Sequence, residues 1–441
     1  MLSGRYKALF FSALCSGYVV LAGAAFAATE GALSQNKDTV QNTIEDSDSW
    51  YGKTIFERPR SEYANDGVSV GSFKIKPSVD LSESFDSNIY ATSTSKQEDF
   101  ITKIRPLLSV QSDWSRHALG FNASSDLGYY ADNKDENYGD YSAGVSGRLD
   151  ILRETFLLGT ASSAHLHEDR GNPNSNAAAN EPTEYTHNNA GVSVIRNLRK
   201  VSLKLDGDFN QYNFENDETD AGTVLDNSGR DRNEYKATAR IGYEIIPEYE
   251  AFLRTSLNER DYNNEVSVGG TNRDSKGYEV VAGTALNLGG KTKGEIFAGY
   301  LQQNYDSAAL EDIGGVQYGA DVLWSVTGLT SVKLGVAREV QETVQTGSSG
   351  YISTLYSARV EHEILYNLLA GIKASYNVND YESTSGTDRS DDIVGTGVEL
   401  KYLLNRHASV LTSYNYTNRD SNQAGQDYNQ SVVMIGIRIE M

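Results

Sequence analysis

From Val70 to the end of the chain, apolar side chains recur at every second position, and clusters of turn-forming residues divide the runs. Successive side chains of a strand point to opposite faces, so a period of two marks each run as an amphipathic β-strand. In Glu234 to Ile245, the residues Tyr235, Ala237, Ala239, Ile241, Tyr243 and Ile245 face one way, and Glu234, Lys236, Thr238, Arg240 and Glu244 the other. The next run sets Tyr249, Ala251, Leu253, Thr255 and Leu257 against Glu250, Phe252, Arg254, Ser256 and Asn258. The final stretch, Asp427 to Met441, sets Val433, Ile435, Ile437, Ile439 and Met441 against Met434, Gly436, Arg438 and Glu440. Such an ending suits the closing strand of an outer-membrane barrel. An aromatic last residue is its usual form, and Met441 departs from it.

Two sorts of connection alternate between the runs. Tight turns are expected around Trp114, Arg153, Leu198, Pro247, Gly289-Gly290, Gly328, Asn367 and Asn405. Longer loops are expected over 86–99, 132–137, 169–182, 215–230, 263–273, 306–310, 343–350, 381–387 and 420–426. Outer-membrane barrels place short turns on the periplasmic side and long loops outside, and single-chain bacterial barrels have even strand numbers. The pattern predicts an all-β chain folded as a transmembrane, antiparallel, up-and-down β-barrel of about 18 strands. Closure would satisfy every backbone polar group, which no open sheet can do in lipid.

A barrel of that size encloses water, so the second face of each strand can carry charge. The lumen-lining candidates are Lys103, Arg105, Asp126, Arg148, Asp150, Lys204, Asp206, Asp208, Lys236, Arg240, Glu250, Arg254, Glu279, Asp321, Arg359, Glu361, Lys373, Glu399, Lys401 and Arg438. Both signs are present. Such a channel need not expel anionic or neutral solutes, and carbohydrate hydroxyls can bond either kind of group. Alternatively, neighbouring charges pair within the wall and stabilise the sheet. Tyr129, Tyr138, Tyr141, Tyr262, Tyr278, Tyr300, Tyr305, Tyr376, Tyr414 and Tyr428, all near strand ends, are expected to form interfacial girdles.

The front of the chain sets the compartment. Arg5 and Lys7 precede the apolar run Ala8 to Phe26, and Ala25-Phe26-Ala27 has the small residues of a signal-peptidase site, so residues 1–27 read as a secretory signal. The one cysteine, Cys15, lies within it, which leaves no disulfide for the exported chain. Residues 28–69 are polar and acidic and are expected to form a flexible periplasmic segment, or else a plug or docking segment; residues 70–441 form the barrel. The net charge of −21 makes nucleic acid an improbable partner. A mean hydropathy of −0.49 argues against a helical membrane protein but not against a barrel, where only alternate residues meet lipid.

Several segments, from Gly71-Ser-Phe-Lys-Ile-Lys-Pro77 and Asp86-Ser-Asn-Ile-Tyr90 to Leu403-Leu-Asn-Arg406, resemble the putative β-barrel porin type 2 family. Between them lie Trp114-Ser-Arg-His117, Gly147-Arg-Leu-Asp150, His167-Glu-Asp-Arg170, Gly242-Tyr-Glu-Ile-Ile-Pro247, Asn258-Glu-Arg-Asp-Tyr262 and His362-Glu363. The resemblance implies an outer-membrane barrel of a kind often linked to exopolysaccharide export, and it identifies no catalytic residue. Three readings follow: a passive exit conduit for polysaccharide, a diffusion porin for small solutes, or a non-conducting surface barrel. The partners expected are outer-membrane lipid, polysaccharide, periplasmic export components and, through the last strand, the barrel assembly machinery.

Catalytic and cofactor chemistry is not expected. The sequence holds no phosphate-cradling loop, metalloprotease motif or nucleophile elbow. His165 and His167, followed by Glu168 and Asp169, are the nearest approach to a metal site. Without a clear third ligand they read as a solvated strand end. The Asp- and Asn-rich loops lack EF-hand spacing, so the choice there lies between cation bridges to lipid headgroups and plain solubility.

Overall fold

The computed structural model describes residues 52–264, 271–345, 347–383 and 388–441. Eighteen antiparallel strands close on themselves, the first, Phe73–Asp86, pairing with the last, Tyr428–Glu440. A nineteenth, three-residue strand, Val68–Val70, folds back as a hairpin on the first alone. The barrel strands are β1 (Phe73–Asp86), β2 (Asp99–Ser112), β3 (Ala118–Tyr130), β4 (Tyr138–Leu152), β5 (Thr155–His167) and β6 (Glu184–Leu198). They continue as β7 (Val201–Phe214), β8 (Arg232–Ile246), β9 (Tyr249–Tyr262), β10 (Ser275–Leu288), β11 (Thr292–Tyr305) and β12 (Ile313–Thr327). The last third is β13 (Thr330–Gln341), β14 (Ser348–Leu365), β15 (Leu368–Ser383), β16 (Ser390–Asn405), β17 (Ala408–Ser421) and β18 (Tyr428–Glu440).

Every pairing joins neighbours along the chain, apart from the closing one. The tight turns sit at one end, and their backbones explain how so few residues reverse the chain. Gly289 and Gly290 both adopt positive φ (55° and 71°), which glycine takes without steric cost, and with Lys291, whose N–H donates to the Leu288 carbonyl (2.9 Å), they close a three-residue turn. The long loops occupy the other end. Two strands run past the expected boundaries: β14 begins at Ser348 and β15 continues to Ser383, so parts of two predicted loops are ladder.

A strand of 14 residues, tilted by ~40°, rises roughly 35 Å along the barrel axis, enough to cross an apolar band of ~25 Å. The outer face supplies that band. Leu205, Leu257, Ile372 and Ile435 are all more than half exposed there, as lipid-facing side chains must be in an isolated chain. Strands ~4.8 Å apart at this tilt give a backbone diameter of roughly 36 Å. Side chains alone cannot fill that width. Two other segments enter the lumen.

At the short-turn end, residues 52–66 lie against the inner wall. Ile55 is fully buried and donates its N–H to Ser331 Oγ (3.0 Å), and the Phe56 N–H donates to Glu361 (2.9 Å). Arg58 donates to the Gly328 carbonyl (2.5 Å) and to Ser325 Oγ (3.2 Å), while Arg60 reaches the Tyr366 carbonyl (3.1 Å) and Glu363 (2.9 Å). A flexible segment does not describe this part of 28–69. It has too few apolar residues to build a core, but it borrows the barrel's wall. The expectations for residues 1–51 lie outside the described residues.

At the long-loop end, the loop 168–183 leaves β5 and crosses the lumen. Asn174 accepts from the Val344 N–H (3.1 Å) and donates to the Glu342 carbonyl (3.3 Å), beside β13, which stands eight strands from β5 in a ring of eighteen. Arg419 of β17 donates to the Gly171 carbonyl (3.1 Å). The outer mouth is therefore narrowed by a strap tied on several sides.

Candidate functional site

The site is the lumen wall, and strand parity builds it. On each strand, the residues alternating with the exposed apolar set turn inward, and both along a strand and between strands they meet as charged pairs. All twenty sequence-predicted candidates fall on this face. Arg105 pairs with Asp126 (2.8 Å), Arg148 with Asp150 (2.7 Å), Lys204 with Asp206 (3.0 Å) and Arg240 with Glu250 (2.6 Å). Arg254 bridges Glu295 (3.0 Å) and Glu279 (3.7 Å), and Lys333 approaches Asp321 (3.6 Å). Arg359 holds Glu361 (2.5 Å) and Glu399 together, with Lys373 its ladder partner. Arg438 grips both oxygens of Asp80 (2.6 and 2.7 Å), with Lys401 near the same group. Lys236 is the ladder partner of Asp208, and Lys103 lies over the Tyr138 ring (5.7 Å).

Several partners were not singled out from the sequence: Asp80, Glu295, Lys333, and the Arg260–Glu342 pair (2.5 Å). Parity alone would have added the first three, since Asp80 alternates with outward Leu81 and Glu295 with outward Ile296. Glu342 lies in a loop, where no parity applies.

The tyrosines divide. Tyr129, Tyr141, Tyr278, Tyr300, Tyr376 and Tyr414 are 41–59% exposed on the outer face, as girdle residues should be. Tyr138, Tyr262, Tyr305 and Tyr428 are only 3–8% exposed and turn inward, against the expectation. Each shares the parity of an inner-face charge on its own strand: Tyr138 that of Asp140, Tyr262 that of Arg254, Tyr428 that of Arg438. With Tyr351 and Tyr381, stacked at 4.6 Å, they form an inner band near the outer mouth, capped by guanidinium groups such as Arg419 over Tyr428 (4.6 Å).

The strap carries its own ion pairs. Arg170 is held by Glu136 through two bonds (2.9 and 2.6 Å), and Arg230 by Glu168. Burial alone would lower the Arg170 pKa, but the bond to and charge of Glu136 outweigh it and raise it.

One sector of the wall differs. Against β1 to β5, a cavity of about 200 Å³ is lined by Ser78, Ser109, Asn122, Ser124, Ser142 and Ser162, by apolar Leu107 and Leu108 and by the charged Lys76, Arg438 and Glu440, with Asn65 of the N-terminal segment reaching it. Hydroxyl and amide groups there offer both donors and acceptors without net charge.

The two histidines of the predicted strand end part company. His167 turns to Asp140 (2.8 Å) and stacks on Tyr138 (3.9 Å). His165 lies on the outer face, stacked on Tyr141 (4.9 Å) and 3.2 Å from Glu184.

A closed eighteen-strand barrel with a polar interior is an outer-membrane channel architecture, and the description of putative beta-barrel porin 2 matches residues 60–441 of this chain. The chain belongs to that family. As a family member it is an outer-membrane β-barrel porin. No curated protein matches it. Solved structures that do match include three from Pseudomonas aeruginosa. OpdK with vanillate shares 12% identity, over 83% of this chain and 99% of that one, with a TM-score of 0.42. OpdO shares 13% (84% and 98%, TM-score 0.45), and OpdQ 15% (87% and 100%, TM-score 0.43).

Proposed function

We propose that this porin conducts uncharged, hydroxyl-rich solutes, saccharides above all. The supporting observation is the pairing of charge in the lumen. Arg105, Arg240, Arg254 and Arg438 each meet a carboxylate within the wall, which offsets much of the positive charge there that would draw anions through. The serine- and asparagine-lined sector supplies the alternating donors and acceptors that sugar hydroxyls need. In a planar bilayer, oligosaccharide added to one side should reduce the single-channel current, and simple organic anions of similar size should not.

The direction follows the family resemblance in the first instance: outward passage of an exopolysaccharide delivered by periplasmic components to the mouth that residues 52–66 line. Uptake of small sugars is the second reading, favoured by the strap 168–183, which narrows the outer mouth. A deletion strain separates them. Polysaccharide held in the periplasm supports exit; intact secretion with slowed sugar uptake supports the second reading. Removal of residues 1–27 as a signal peptide, and recognition of β18 by the barrel assembly machinery, belong to the same proposal.

A further inference from the structure

On the outer face, at the long-loop end of β5, β6 and the residue after β7, three side chains converge that the channel does not use. His165, Glu184 and Glu215 each place a ligand atom within 4.8 Å of the other two. Their assembly is a product of the barrel. His165 and Glu184 come from adjacent strands, with Nε2 and Oε2 3.2 Å apart, and the Glu215 N–H donates to the Glu184 carbonyl (2.8 Å), which fixes the two glutamates opposite each other.

Two features point beyond a chance cluster. Like charges directly opposite on one face of a sheet destabilise it, so facing glutamates call for a cation between them. The third group is an imidazole rather than another carboxylate, and its ring is held in place by stacking on Tyr141 at 4.9 Å and 19°. One imidazole and two carboxylates form a donor set suited to a borderline divalent ion, and three protein ligands leave a coordination position open. We propose that His165, Glu184 and Glu215 bind one divalent transition-metal ion of the zinc class at the outer rim. The ion would tie the bases of the loops 168–183 and 215–231 together. The open position faces the outer leaflet, where water or a lipid phosphate oxygen completes the shell.

The ligands missing from the sequence motif were never local: Glu184 and Glu215 stand 19 and 50 residues beyond His165 in the chain. His167, the residue the sequence paired with His165, is engaged by Asp140.

The test uses the full barrel, refolded in detergent without a histidine tag, stripped with chelator and titrated with zinc by calorimetry. One site per chain is expected, with a raised unfolding temperature in the metal-loaded form. Glu215→Gln, at an exposed loop residue, should abolish the site while circular dichroism and heat-modifiable migration on gels remain those of the parent; His165→Ala should do the same. Absence of zinc binding by the parent, or equal binding by the correctly folded Glu215→Gln and His165→Ala proteins, overturns the assignment. Weaker but saturable binding of calcium than of zinc is expected, and the reverse order would contradict the role of the imidazole.

Discussion

A single residue's place on its strand decides which solvent it meets. Val280 is outward and 39% exposed near the middle of β10, whereas its neighbour Val281 is 1% exposed and packs with Phe252, Ala285 and Phe297 inside the wall. A charge at the first position must enter lipid; Val280→Lys should reduce folding stability in liposomes by ~2–4 kcal/mol, read from denaturant titration. The same parity was legible in the sequence, and on it Arg254, Arg359 and Arg438 alternate with the exposed apolar residues Leu253, Val360 and Ile439. Applied to Tyr138 and Tyr428 it would also have turned them inward. Grouping tyrosines by their nearness to strand ends hid what alternation already said. The ion pairs themselves were less legible, because a pair such as Arg254–Glu295 depends on side chains from different strands meeting across the wall.

Elements are where local reading ran out. Tight turns and strands follow from period and from residues such as Gly289-Gly290, all within a few positions of one another. The strap does not: Asn174 meets Val344 across 170 residues, and nothing in 168–183 signals a path across a lumen. Its tie to β17 runs through one side chain, Arg419, so loss of that side chain should be felt at the mouth. Arg419→Ala frees the Gly171 carbonyl and uncovers Tyr428; the predicted outcome is a larger and noisier single-channel current with an unchanged circular-dichroism spectrum. The N-terminal segment gives a parallel prediction at the other mouth. Arg60→Ala leaves Glu363 without its bidding cation in a largely buried setting, a loss on the order of 3 kcal/mol for a buried pair, and residues 52–66 should then become sensitive to added protease from the periplasmic side. Deleting residues 28–66 should raise conductance; an unchanged open level would show that this segment lies aside from the conducting path.

At the scale of the whole molecule, the account rests on a closed wall with a lipid-facing exterior and a charge-paired interior. The number of strands and their up-and-down order were readable because each strand pairs with its sequence neighbours, and among the described barrel strands β1 to β18 is the one pairing between strands distant in the chain. What the sequence could not supply is how much of a roughly 36 Å ring remains open, since that depends on the strap and the N-terminal segment folding inward. Selectivity is likewise a property of the assembled wall. The direct measurement is single-channel recording of the purified full chain in a planar bilayer, with reversal potential in a salt gradient and with oligosaccharide added to one side. The account predicts an open current with little preference between small anions and cations, and concentration-dependent block by the saccharide. A bilayer that never conducts, or a strongly anion-selective current indifferent to saccharide, would contradict it.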